Sequence, residues 1–218
     1  MSDRAEELAA NLSQLQTEIS SYSPTLIAVT KTYPVSDIEI LYDCGLRNFG
    51  ENRSSEGLAK STAIPASWHY QGEIQSKKIR EITSWADCIH SLDEAKHAEK
   101  ISNCMVEQGG EIDLFLQLSL DGDPSRGGVV ESDLFLLAHH VNQLPGINLL
   151  GIMSVPPVDL AAGEAFQRIS QVHLRFKGEF PSAPYLSAGM SGDYMVALSY
   201  GATHIRVGSK ILGARTYH

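Results

Sequence analysis

Lys31 closes a strand-like apolar run, Leu26-Ile27-Ala28-Val29-Thr30, and is followed by Thr32-Tyr33-Pro34. A lysine at the inner end of a buried strand is paired or chemically used, and partial desolvation favours its neutral amine, a carbonyl nucleophile. That chemistry is Schiff-base formation; the plainer alternative is a lysine that has left the sheet for solvent. Far along the chain, Leu186-Ser187-Ala188-Gly189-Met190-Ser191-Gly192-Asp193 follows another apolar run and opens a helix-like stretch. Small residues let a backbone approach a ligand, and free helix amides favour an anion such as phosphate, although the same composition also makes an ordinary cap. Ile205-Arg206-Val207-Gly208-Ser209-Lys210 repeats the arrangement. Arg206, set between apolar neighbours, reads either as a salt bridge at the core edge or as a cation facing a bound ring.

Other residues carry weaker signals. In Gly50-Glu51-Asn52-Arg53, Asn52 either caps the next helix or hydrogen-bonds a ligand. His69 lies on a strand-like run, as a satisfied core histidine or as a ring against a flat ligand. The eight histidines show no HExxH spacing, and Cys44, Cys88 and Cys104 form no CxxC pair, so no metal and no disulfide framework is expected. Asp121 to Gly128 is polar and glycine-rich, fitting a lid or a plain solvated loop. A GxSxG nucleophile elbow is absent, which leaves Lys31 as the strong nucleophile candidate.

Positioning these residues requires a regular scaffold. Leu8, Leu12, Leu15 and Ile19 recur at helical spacing and predict an amphipathic opening helix over about 3–20, with Asp3 and Glu6 as a cap pair. Short apolar runs then alternate with capped helical stretches. Strands are expected near Leu26–Thr30, Asn48–Phe49, Trp68–Tyr70, Cys88–His90, Asp113–Leu118, Leu149–Met153, Tyr185–Leu186 and His204–Val207, with capping boxes at Ser36/Glu39 and Ser91/Glu94. Eight βα units close most simply into a (β/α)8 barrel, an α/β fold in which Lys31 and both glycine-serine segments gather at the carboxyl ends of the strands. A doubly wound open sheet is the alternative.

The 218 residues fit one domain, 43% hydrophobic and 20% charged. A net charge of −9 without a basic run argues against a nucleic-acid partner. The polar, acidic start and the lack of a long apolar run predict a cytoplasmic protein without a membrane partner. A monomer is expected, since no coiled-coil heptad or exposed strand edge suggests assembly.

Taken together, AVTKTYP around Lys31, FGENR at Phe49–Arg53, WHYQGEIQSKK at Trp68–Lys78, GIMSVPP at Gly151–Pro157, LSAGMSGDY at Leu186–Tyr194 and GATHIRVGSKILGAR at Gly201–Arg215 resemble the YggS/PROSC family of pyridoxal phosphate homeostasis proteins, nearly end to end. The resemblance implies a single barrel like the amino-terminal domain of alanine racemase, holding pyridoxal 5'-phosphate as an internal aldimine on Lys31. By motif, Ser187, Ser191, Gly208 and Ser209 would surround the phosphate, Arg206 would face the pyridine nitrogen, and Asn52, Met190 and His69 would line the ring. It further implies a regulator of vitamin B6 and amino- or keto-acid balance, without robust catalysis, whose partners are the cofactor and amino acids or apoenzymes that use it. Lys77 stands where the family usually has Asn, Thr30 where it has Ser, and Arg126 where it often has Lys. An amino-acid racemase needs a base on each face of its substrate, and Lys31 supplies one. A cofactor-free Schiff-base aldolase is disfavoured by the two anion-type segments.

Overall fold

The computed structural model describes residues 3–213. After helix α1 (Asp3–Ile19), strands and helices alternate: β1 (Thr25–Val29), α2 (Val35–Asp43), β2 (Asn48–Glu51), α3 (Ser54–Ala63), β3 (Ser67–Tyr70), α4 (Ile79–Ile82), β4 (Cys88–Leu92), α5 (Ala95–Gln108), β5 (Ile112–Leu118), α6 (Glu131–Val141), β6 (Ile147–Ser154), α7 (Ala162–Glu179), β7 (Tyr185–Ser187), α8 (Tyr194–Ser199), β8 (His204–Val207) and α9 (Ser209–Leu212). The strands run parallel and pair in chain order, and β8 returns to β1 with Ile27 opposite Arg206. The sheet is therefore a closed barrel, and the open doubly wound alternative is excluded.

Strand parity sorts the side chains into two cores. In β5, Leu114 and Leu116 belong to the large apolar layer between barrel and helices, whereas Phe115 joins Cys88 and Met153 in a small interior cluster. Applied to the other strands, the same alternation turns Leu26, Ala28, Phe49, Trp68, Tyr70, Ile205 and Val207 outward. It turns Ile27, Asn48, Gly50, His69, His90, Ser187, His204 and Arg206 inward. Barrel interiors are ordinarily filled by branched apolar side chains; much of this one is polar. α1 packs against α2 and α9, where Arg4 reaches Asp37 Oδ2 at 2.5 Å and the Leu212 carbonyl at 2.9 Å, and Asn11 donates to the Ile211 carbonyl at 3.0 Å.

Two of the expected capping boxes are not formed. α2 begins one residue before Ser36, with Pro34 at its N-cap and no side-chain cap. Ser91 lies inside β4, and its hydroxyl donates to the Gly72 carbonyl at 2.5 Å, so α5 starts later, from Glu94. A Ser-x-x-Glu spacing marks a helix entry only where the serine is free of the sheet. For α1, the residue preceding Asp3 lies outside the described residues, as do Ala214 and Arg215 at the end of the last motif.

Candidate functional site

Lys31 stands two residues beyond Val29, half-buried at the carboxyl end of β1, and shares the inward parity of Ile27 and Val29. Its backbone neighbours are fastened on both sides. Lys60 Nζ donates to the Thr30 carbonyl at 2.8 Å and to Glu51 Oε1 at 2.6 Å, while the Thr30 hydroxyl donates to the same carboxylate oxygen at 2.6 Å. Beyond Lys31, the Thr32 amide donates to Glu56 Oε2 at 2.9 Å. Thr32 adopts φ 72°, left-handed backbone that costs a β-branched residue about 1–3 kcal/mol. Burial raises the Glu51 carboxyl pKa and Lys60 opposes that rise. Lys60 and Glu51 were not singled out from the sequence; the Glu56–Lys60 spacing of four hinted only at a surface helix pair.

Arg206 lies inside the barrel at 5% exposure. Its Nη1 donates to Ser187 Oγ at 2.7 Å and its Nη2 to the Ser154 carbonyl at 3.2 Å, both neutral oxygens. Burial lowers its pKa to about 10, opposed by the Asp193 charge, so the guanidinium keeps its proton at neutral pH. This is not the salt bridge at the core edge allowed by the sequence. Ser187 is fully buried, its hydroxyl engaged by Arg206 and by His90 Nδ1 at 2.9 Å, beneath the loop positions expected to surround a phosphate. His69 is buried lower in the barrel, where its ring nitrogens meet His90 and Asn48. The inward residue next above it is Gln71, whose Nε2 is buried without a hydrogen-bond partner and crowds the Gly50 position.

The loops after β7 and β8 lie side by side. The Arg206 amide donates to the Gly189 carbonyl at 2.9 Å and the Gly208 amide to Ser191 Oγ at 3.2 Å. Gly189 has φ +95°, and a Cβ there would stand 2.7 Å from the Ala197 side chain, so only glycine makes this turn. Ser191 is half-buried, while Ser209 and Met190 are exposed. α8 has six residues and α9 four, too short for a large macrodipole; local amides and hydroxyls must hold any anion. Asn52 is not the cap of α3, which is Arg53; its amide lies 3.5 Å from the Gln71 carbonyl at the mouth.

A cavity of about 380 Å³ opens at the ends of β3 to β6 and the loops that follow them, lined by Gln71, Ser91, Asp93, Gln117, Arg126 and Met153 among others. Its outer wall is the 121–128 segment, a folded loop in which Arg126 binds Asp121 Oδ2 at 2.5 Å and the Pro156 carbonyl at 3.0 Å, and Gly128 donates to Asp93 Oδ2 at 2.9 Å. Lys77 is exposed, on the loop after β3. The structure thus brings Lys31, Asn52, Ser191, Arg206, Gly208 and Ser209 to the strand ends or the loops beyond them, with Ser187 and His69 beneath.

Comparison with known proteins gives the same architecture. The sequence profile of the alanine racemase N-terminal domain family matches residues 4–216. A pyridoxal phosphate homeostasis protein of Corynebacterium glutamicum is 40% identical over 201 residues, covering 88% of this chain and 91% of that one. The solved structure of PipY from Synechococcus elongatus PCC7942 with PLP bound superposes with a TM-score of 0.86 at 32% identity, over 94% of this chain and 100% of that one. An alanine racemase of Clostridium difficile shares the fold at a TM-score of 0.78 and 14% identity, with 97% of this chain matched to 60% of that enzyme.

Proposed function

The chain belongs to the pyridoxal phosphate homeostasis protein family, and from that premise we propose that its barrel mouth binds pyridoxal 5'-phosphate, attached covalently through Lys31, in the service of vitamin B6 and amino- or keto-acid homeostasis. The observation that carries the reading is Arg206: a buried cation whose hydrogen bonds go to neutral oxygens, on the strand that pairs with the one Lys31 follows. Such a site suits a flat, anionic ligand, and the orphaned Gln71 amide at the same mouth offers it a further donor.

The cofactor supplies an aldehyde that bonds reversibly to amines and, with its ring nitrogen protonated, an electron sink. Lys31 would carry it, the Ser191, Gly208 and Ser209 loops would hold its phosphate, and Asn52 and Met190 would flank the ring. Arg206 only donates, and a guanidinium that keeps its own proton does not protonate a ring nitrogen. The chain's own groups therefore favour holding the cofactor and exchanging it with amines over carbanion chemistry. In this reading the protein is a monomeric carrier, not an enzyme, and its recipients are free amino acids or apoenzymes that use the cofactor.

The test is the visible absorption spectrum of purified protein loaded with pyridoxal 5'-phosphate, before and after borohydride, with peptide mapping of the reduced product. A reduced adduct on Lys31 is expected. Lys31→Ala should lose that adduct while unfolding within about 1 kcal/mol of wild type, because a half-buried mouth residue contributes little to the core. A yellow, borohydride-reducible Lys31→Ala protein would remove Lys31 from the role.

A further inference from the structure

Beneath Arg206 a row of polar side chains descends through the barrel interior. Ser187 Oγ lies 2.9 Å from His90 Nδ1, His90 Nε2 lies 2.9 Å from His69 Nδ1, and His69 Nε2 lies 3.0 Å from Asn48 Oδ1. Donor arithmetic over neutral rings sets its direction from the floor upward, and the top is compatible with it. Arg206 can only donate, so Ser187 accepts from it and keeps its own hydrogen available for an acceptor at His90. At the floor the Asn48 carbonyl oxygen can only accept, so His69 carries its proton on Nε2 and offers the lone pair of Nδ1. His90 must then donate from Nε2, which leaves Nδ1 to accept from Ser187. Every bond points the same way, and each acceptor end faces the guanidinium, the orientation in which a string of dipoles favours a buried cation.

We propose that Ser187, His90, His69 and Asn48 form a one-way hydrogen-bond relay that holds the Arg206 guanidinium at the floor of the mouth, with His90 as its central positioning residue. The effect on bound cofactor rests on the function proposed above; the relay itself does not. Both histidines are neutral in this arrangement, in keeping with their burial, which lowers the pKa of His69 to about 3 and that of His90 well below its usual value. The other ionisable groups facing the row are Cys88, whose thiol burial raises, and His204, lowered to about 4 by burial and by Arg206. His69, Cys88 and His90 also place three ligand-type atoms within 4.8 Å of one another. A dication there would compete for the ring nitrogens that the row already uses, beside a buried guanidinium, so the geometry favours the relay over a metal.

The relay is tested first on cofactor-free protein labelled with ¹⁵N-histidine. Neutral Nε2–H tautomers are expected for His69 and His90, unchanged down to about pH 5. An Nδ1–H tautomer, an imidazolium at that pH, or one tightly held zinc per chain displacing the Nε2–H signals would each overturn it. The second measurement is the affinity for added pyridoxal 5'-phosphate. His90→Phe keeps a ring to stack on Phe115 but cannot relay, and should weaken binding about three- to tenfold with a shifted cofactor band. His90→Asn restores an acceptor for Ser187 and should recover part of the loss. In an Arg206→Met background, His90→Phe should cost nothing further; equal losses in both backgrounds would mean that His90 acts only on packing. Wild-type protein that takes up no cofactor would overturn the proposed function and leave the tautomer result standing.

Discussion

Lys31 was legible from sequence because a charged residue breaks an apolar run at a fixed point, while the groups that fasten it were not. Lys60 becomes a site residue only when α3 folds back over β1 and β2, so that a side chain at 6% exposure reaches a carbonyl thirty residues away. Breaking a buried ion pair from one side leaves a charge uncompensated. Lys60→Met should therefore cost about 3–5 kcal/mol in urea unfolding, and Lys60→Met/Glu51→Gln distinctly less; an equal loss in both would show that Glu51 does not bear the penalty. His90 was missed for a similar reason, since one histidine in an apolar strand gives no sign of which neighbours it will meet. The interior histidines also set a pH dependence. His69 and His204 titrate near 3 and 4 in the folded protein against 6.5 unfolded, so below about pH 6.5 the unfolded chain takes up protons that the native barrel refuses. Stability should be fully present above that pH and fall by about 1.4 kcal/mol per pH unit for each histidine between about pH 6 and 4. The raised carboxyls of Glu51 and Asp87 oppose this at the acid end. His69→Gln should flatten the slope of unfolding free energy against pH by about 1.4 kcal/mol per unit.

Two glycines in helices make opposite predictions at the scale of the element. Gly to Ala in a helix interior normally stabilises by about 0.5–1 kcal/mol. In α7, a Cβ at Gly178 meets nothing within 4 Å, and Gly178→Ala should raise stability by about that amount. In α3, a Cβ at Gly57 would lie 2.2 Å from the Trp85 ring, which is buried between α4 and β4 and has no flexible end to move. Gly57→Ala should instead destabilise by about 1–3 kcal/mol, read in the same unfolding experiment. Gly57 looks like a weak helix residue in sequence and proves to be a packing site. The strands were legible because their outward faces are continuous with a large apolar layer: Ile112–Leu118 and His204–Val207 show their period-two pattern directly. Their ends were less so. β2 and β7 continue past the apolar residues through Gly50-Glu51 and Ser187, positions held by sheet hydrogen bonds that hydropathy does not register. Ser91 misled in the opposite sense, because its hydroxyl serves the Gly72 carbonyl just beyond the neighbouring strand β3.

At the scale of the whole molecule, the order of βα units made the barrel legible, while the lining of its interior had to be seen. The net charge is −9, the buried charged residues Asp37, Glu51, Lys60 and Arg206 are balanced in sign, and among the described residues no helix is long and apolar enough to cross a membrane. The groups that would hold the cofactor come from opposite ends of the described chain: Lys31 follows β1, and Arg206 lies on β8, the strand that pairs with it. That pairing has a meaning in time. During synthesis the first seven strands leave the ribosome before β8 exists, and until then β1 and β7 each present an unpaired parallel edge, the kind of long-range pairing that forms slowly. The strand that carries the cation joins the strand that leads to the amine only when the final seam zips, so a nascent or clipped chain lacking β8 has the lysine without Arg206. Cofactor uptake would thus report that translation had run through the closing strand.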